Sequence, residues 1–348
     1  MKKKISLYVV FLLLIAFLSL YRIDAYIMKP GSAYEVSEFV TVADGDKDDE
    51  GSLSLMTVAM QQATPVTYLW AKTQKYQKLM DINQVRNPLE DNEEYNVRQL
   101  KLMSDSQFNA KYVAFKKAGL DVDVKFEGVF VLNVLDGGSS DGILKAGDEI
   151  VKVDGQKIEN QAMLVELLKK KRIDDEVKIQ FVRNKKQQEE TLTLKEIPGT
   201  EEKRAGLGIT YAESKTIETT PEVSMRTEDI GGPSAGLMFT LEILNQLLPE
   251  DLTKGYKIAG TGEMNIDGKV GRIGGIDYKV IAADRDGMEI FFAPEDEISP
   301  ELKVKYPELE SNYATAVKTA EDIGTKMKIV PVKNIDDAIN YLEKLEPK

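Results

Sequence analysis

The chain has 348 residues, 42% hydrophobic and 30% charged, enough for two compact domains with ample core. It contains no cysteine and no histidine, which removes disulfides, thiolate and imidazole metal sites, a cysteine nucleophile and the Ser-His-Asp triad. The net charge is −12; residues 1–30 carry +4, leaving −16 on the remainder, a surface that repels phosphate backbones and argues against nucleic-acid partners.

Any hydrolytic base must then be Lys, Asp, Glu or a terminal amine. At the amino terminus Lys2, Lys3 and Lys4 precede an apolar run from Ile5 to Tyr21, interrupted only by Ser6 and Ser19. At ~1.5 Å per residue the run is roughly 26 Å long, near the lower limit for crossing a bilayer. It predicts one transmembrane helix with its start held in the cytoplasm, which places everything after Ala25 outside the cell membrane. The alternative is a cleaved signal peptide, but Leu20-Tyr21-Arg22-Ile23-Asp24 offers no pair of small residues for cleavage.

Residues Glu35–Val42 and Ser52–Ala59 are β-prone and predict a hairpin around an acidic turn. In that turn Asp44, Asp46 and Asp48 have calcium-loop spacing, but Asp49 stands where Gly is needed and Leu55 where Glu belongs. A solvated loop without metal is the reading. From Pro65 to Lys117 apolar residues recur at helical spacing and predict helices packed on a neighbouring domain.

Residues 119–198 read as a compact module. Val122, Val124 and Phe126 lead to Gly128 and Val129–Leu132, and a small-residue turn follows at Gly137–Ser140. Next come Leu144-Lys145-Ala146-Gly147-Asp148-Glu149-Ile150-Val151-Lys152-Val153-Asp154-Gly155, a helix at Asn160–Lys171, and strands at Val177–Arg183 and Thr191–Leu194. This stretch resembles a PDZ domain, most specifically from Leu144 to Gly155. The resemblance implies peptide capture by strand addition. It places a carboxylate-binding loop at Phe126-Glu127-Gly128-Val129, with the 160–171 helix as the other wall. A spacer is the alternative.

After a β pattern at Gly206–Tyr211, the chain reaches Gly231-Gly232-Pro233-Ser234-Ala235-Gly236. Leu237, Met238, Leu241, Leu244, Leu247 and Leu248 then recur at helical spacing, so Ser234 lies at or near a helix start. Free backbone N–H groups there, near Gly232 and Ser234, suit a developing oxyanion. Alone, this is equally a glycine-rich lead-in to an ordinary helix. On a helix over 276–286, Ile276, Lys279, Val280 and Ala283 share an arc of about 100°. Lys279 thus lies on the apolar face, where burial lowers an amine's pKa toward the range of a base. A snorkelling lysine is the alternative.

Taken together, Gly-Pro-Ser-Ala-Gly and Thr-Gly-Glu-x4-Gly-x-Val-x2-Ile-Gly-Gly-x3-Lys resemble the proteolytic domain of the Lon proteases. The resemblance implies that Ser234 is the nucleophile, Lys279 the general base and Thr261 an auxiliary that orients the lysine. Many Lon enzymes carry Asp three positions before the serine, whereas Gly231 stands there in this chain, so that residue's role does not carry over. No Walker A sequence is present, which implies ATP-independent action on short peptides or exposed loops, with no cofactor. The combination is similar to PDZ-containing, membrane-anchored Lon-like peptidases of Gram-positive bacteria, some of which trim secreted signalling peptides.

The expected fold is α+β. A cytoplasmic tail and anchor occupy 1–27, strands and helices that pack on the protease domain occupy 28–118, the PDZ-like domain 119–198 and the Lon-type domain 199–348. The expected partners are a peptide or protein substrate and the membrane, with oligomerisation left open. Two rivals remain at this point: a non-catalytic peptide-binding PDZ protein, and a processing enzyme restricted to membrane-protein partners.

Overall fold

A computed structural model describes residues 2–46, 50–87, 90–199, 203–227 and 230–348, and the chain divides into two compact units. The first comprises residues 1–88 and 234–348, the second residues 89–233. The expected boundaries at 118/119 and 198/199 therefore fall inside the second unit.

The first unit opens with helix α1 (Lys2–Leu20), followed by strands β1 (Ala25–Glu35) and β2 (Ser52–Gln62), helix α2 (Pro65–Ala71) and strand β3 (Lys78–Asp81). Among the described residues no helix is long and apolar enough to cross a membrane. The expected hairpin, with Glu35–Val42 as first arm, is corrected: β2 pairs antiparallel with β1 from Tyr26↔Gln62 to Glu35↔Ser54, so that only Glu35 of that arm takes part. β1 was hidden in the sequence by Pro30 and Gly31, which the sheet tolerates because the register shifts between Pro30 and Ala33. Lys47, Asp48 and Asp49 of the acidic turn lie outside the described residues.

The second unit begins with helix α3 (Asn92–Lys117), closed at its start by a capping box between Asp91 and Glu94. Then come strands β4 (Val122–Val134) and β5 (Glu149–Val153), helix α4 (Gln161–Lys169, capped by the Asn160 side chain), and strands β6 (Glu176–Arg183), β7 (Lys186–Thr193) and β8 (Ile209–Thr219). They form an antiparallel sheet in the order β8-β4-β5-β6-β7. The pairing of β8 with β4, from Ile209↔Val134 to Thr219↔Val122, brings residues 209–219 into this unit, and α3 packs on the same two strands. That long ladder is why the module exceeds 119–198. Its core joins Val129, Val131, Ile150, Leu164, Ile179 and Phe181, all buried.

Back in the first unit the chain forms helix α5 (Gly236–Leu247), strand β9 (Lys257–Gly260), helix α6 (Ile276–Arg285), strand β10 (Ile290–Pro294), helix α7 (Asn312–Ile323), strand β11 (Lys328–Val332) and helix α8 (Ile335–Glu343). The sheet runs β11-β10-β9-β2-β1-β3, with β9 parallel to both β2 and β10. Alternation along the strands supplies both faces. Ala259, Phe291 and Ala293 pack with Val280 and Ala283 of α6 and Ala316 of α7. Phe292 points the other way, edge-on to Tyr341 of α8 with ring centroids 5.8 Å apart.

Candidate active site

Three side chains converge just past the carboxyl end of β9, a place where parallel strands leave backbone and helix ends free for a ligand. Ser234 sits in the turn two residues before α5. Thr261 follows the last residue of β9, and its N–H donates to the Phe292 carbonyl at 3.1 Å. Lys279 is carried by the first turn of α6. The Lys279 Nζ lies 2.7 Å from Ser234 Oγ and 2.8 Å from Thr261 Oγ1. Thr261 Oγ1 in turn donates to the Ser234 carbonyl at 3.0 Å.

The backbone holds the nucleophile as firmly as the side chains do. The Gly262 N–H donates to the Ser234 carbonyl at 2.9 Å, and the Leu237 N–H donates to the Gly262 carbonyl at 3.1 Å. This reciprocal pair laces the turn before α5 to the segment after β9. Gly262 has no room for a side chain: a Cβ there would lie 2.3 Å from Val270 Cγ1. Residues in the Gly-Glu motif thus serve close approach as well as chemistry.

Lys279 is only 2% exposed. Burial alone, with no acidic partner, lowers its pKa from 10.5 to about 7. The amine is therefore substantially neutral near neutral pH and holds a lone pair within hydrogen-bond distance of the serine hydroxyl. A pH-7 base is obtained here without an imidazole.

A polar clamp that sequence reading missed fixes the segment delivering Lys279. The Asn312 side chain bonds both backbone groups of Ile273: it accepts from the N–H at 2.7 Å and donates to the carbonyl at 3.1 Å. Asp296 accepts from the Asn312 N–H at 2.6 Å and from Arg272 Nη1 at 2.7 Å, and Arg272 also donates to the Glu310 carbonyl at 2.8 Å. Gly275 then takes the left-handed conformation, φ 68°, that turns the chain into α6. The partners lie 16 to 39 residues apart in sequence, and no local spacing announces them.

Gly232 requires a correction. It belongs to the second unit, where its N–H donates to the Gln99 carbonyl of α3 at 3.1 Å. That donor is engaged and is not free for an oxyanion. Among the described residues the N–H groups of Ser234 and Ala235 have no partner, which leaves the donors of the Ser234 turn free for an oxyanion. In the second unit Ser106 Oγ of α3 also donates to the Pro233 carbonyl at 3.0 Å, so α3 grips residues 232–233 twice.

The expected carboxylate loop is also corrected. Phe126, Glu127, Gly128 and Val129 form no turn; they lie inside β4, with Phe126↔Lys215, Gly128↔Ser214 and Val129↔Glu213 on one side and Val129↔Ile150 on the other. Backbone groups used in a ladder cannot receive an anion. Gly128 is there because a Cβ would lie 2.7 Å from the Ile150 carbonyl oxygen. The apolar groove of this unit lies elsewhere, with a volume of about 280 Å³ between α4 and residues 204–211. Leu164, Val165 and Leu168 line one wall, and Leu207, Ile209 and Tyr211 the other. The signal in the sequence was Gly206-Leu207-Gly208-Ile209, whose Gly208 adopts φ 68°.

Two family models match the chain. Residues 220–343 match the family described as the Lon protease (S16) C-terminal proteolytic domain, and residues 99–194 match the PDZ domain family. The chain is 32% identical over 109 residues to the Lon protease of Endomicrobium trichonymphae, covering 31% of this chain and 12% of that protein. It is 35% identical over 114 residues to the Lon protease of Trichlorobacter lovleyi, covering 32% of this chain and 12% of that protein. The chain thus spans about one eighth of these relatives' length. Among solved structures, the PDZ domain of an SdrC-like protein from Listeria monocytogenes aligns at 28% identity and a TM-score of 0.24, over 26% of this chain and 92% of that one. The chain therefore carries a PDZ domain and a Lon-type proteolytic domain.

Proposed function

We propose that this chain is a membrane-anchored, ATP-independent serine endopeptidase that cleaves peptides outside the cytoplasm with a Ser234–Lys279 dyad. The observation that carries the reading is a fully buried lysine amine, lowered to about 7, at 2.7 Å from a serine hydroxyl. In the first half-reaction neutral Lys279 takes the Ser234 proton while Oγ bonds to the scissile carbonyl carbon. The Ser234 and Ala235 N–H groups stabilise the oxyanion. Collapse breaks the C–N bond, and the ammonium returns its proton to the leaving amine. In the second half-reaction Lys279 deprotonates water, which attacks the acyl-serine; collapse breaks the C–Oγ bond, the ammonium returns its proton to Ser234 Oγ, and the acid is released. Thr261 keeps the amine aimed at the serine throughout.

The PDZ-domain groove between α4 and residues 204–211 suits an extended peptide, which supports peptides or exposed protein segments as substrates. Extracellular signalling peptides are the class proposed. The anchor is supported by the apolar run from Ile5 to Tyr21 and by the bare surface of α1, where Phe11, Leu12, Leu13 and Leu14 are all exposed. A helix apolar on every side needs a non-aqueous surrounding.

The test is peptide cleavage by Ser234→Ala and Lys279→Ala variants in the full chain. Each should abolish turnover with the fold retained, and the double variant should lose no more than either single one, because the pair acts as a unit. Substantial turnover by either variant refutes the dyad. A peptide-binding protein without catalysis would show no cleavage by the unmodified chain.

A further inference from the structure

Helix α2 opens beside the end of α1, and the two are in contact. The Ile23 N–H donates to the Ala63 carbonyl at 2.9 Å, the Gln62 amide donates to the Ile23 carbonyl at 3.2 Å, and Thr64 then caps α2. Only Tyr21 and Arg22 separate the last residue of α1 from this fixed point, a span of at most ~11 Å. The body of the first unit is therefore tied within about 11 Å of the end of α1.

Helix α2 divides its side chains sharply. Ala71 is buried with Ile27 and Ala63, and Tyr68 packs against that cluster, while Val66, Leu69 and Trp70 are 47%, 66% and 63% exposed. Positions 66, 69 and 70 share one helix face at i, i+3 and i+4. Leu20 and Tyr21, at the end of α1, are exposed as well. Lys72 holds its Nζ 4.7 Å above the Tyr68 ring. Clustered large apolar side chains in water mark a surface that something covers.

We propose that the Val66–Leu69–Trp70 face of α2 is an interfacial foot, seated in the headgroup layer of the lipid bilayer where α1 emerges. The inference rests on the anchor reading above and extends it to a second contact. The occupant follows from continuity: the patch adjoins the end of a helix that is apolar on every side, at a distance that keeps it at headgroup depth. Tryptophan and tyrosine partition to that layer, where an amphipathic ring has both apolar and polar surroundings. Lys72, with its amine over the Tyr68 ring, adds a cation beside the patch, suited to anionic headgroups. A helix lying in the interface buries its apolar face by roughly 5–10 Å. With α1 as a pivot and α2 as a second support, the catalytic unit keeps a fixed tilt over the membrane.

Trp70 is the single tryptophan of the chain and reports on this face without labelling. The full chain is reconstituted in phosphatidylcholine–phosphatidylglycerol vesicles whose acyl chains carry bromine either near the headgroup or near the methyl end. The expected result is a Trp70 emission shifted to shorter wavelength and quenched more by the shallow bromines. Val66→Asp combined with Leu69→Asp should reverse both effects while the chain still floats with the vesicles, since both positions are exposed and neither supports the core. Emission of a water-exposed indole, unquenched in a chain that floats, overturns the foot and leaves the anchor standing. A chain that does not float overturns the anchor and the foot together. A blue shift that grows with protein concentration and is insensitive to bromine assigns the face to a second copy and also overturns the proposal.

Discussion

At the scale of the residue, the chemistry turns on keeping one amine out of water. The Lys279 amine sits among apolar neighbours with two hydroxyls and no carboxylate, so desolvation dominates and its pKa is lowered to about 7. Activity should rise with pH through about 7 as the amine loses its proton, and a chain without histidine has no imidazole to mimic that limb. A profile that falls steadily from about pH 6 to about pH 9, with the protein folded, would exclude a lysine base. The same burial affects stability. Because the folded pKa lies below the unfolded value of 10.5, the unfolded chain binds the extra proton between about 7 and 10.5, and stability rises with pH across that window. At ~1.4 kcal/mol per pKa unit the full cost below pH 7 is on the order of 5 kcal/mol. Lys279→Met, similar in volume, should therefore be inactive yet melt higher than the parent at pH 7, with the gap closing toward pH 10. A gap that does not change with pH would contradict the buried-amine account.

At the scale of the element, the start of α6 matters more than its length. The Asn312 side chain occupies both backbone groups of Ile273, three residues before α6, and Asp296 secures both Asn312 and Arg272. Asn312→Ala leaves a buried N–H and a buried carbonyl unpaired, at a cost of roughly 1–3 kcal/mol each. Loosening this segment should also let water reach Lys279. The expected outcome is a lower kcat with its acid limb moved to higher pH, in addition to a lower Tm. A fall in Tm with an unchanged pH profile would make the clamp purely structural. Sequence periodicity placed Lys279 on the buried face of α6 because a helix repeats locally. It could not reveal Asn312, whose partner is 39 residues away.

At the scale of the whole molecule, the chain returns to its first unit after completing the second, so the sheet of the first unit is built from both ends of the sequence. Strands β1 and β2 complete a sheet whose catalytic segments lie beyond residue 233. Excising 119–198 would remove β4 and strip β8 of its partner, so capture of substrate is better tested within the groove. Leu168→Asp, on the half-buried face of α4, should raise KM for long peptides while leaving kcat/KM for a minimal activated ester unchanged. Equal losses on both substrates would mean that the groove supports the fold instead of holding peptide.

The sequence by itself determined the chemistry that was available. The lack of histidine and cysteine, the glycine-flanked Ser234, and Lys279 in phase with an apolar face are all local facts, and local facts survive without a fold. The helix at 276–285 was legible for the same reason. Only the tertiary structure decided which backbone donors were free. Gly232 has its N–H taken by Gln99, and Phe126–Val129 lie inside a strand paired with β8, Val129 with β5 as well, because hydrogen bonds between distant segments compete for groups that look unengaged in sequence. The apolar groove of the second unit lies at residues 204–211 on the same principle. Pairing of β8 with β4 carries Gly206–Ile209 beside α4, across more than 30 residues of intervening chain, a juxtaposition that no periodicity encodes.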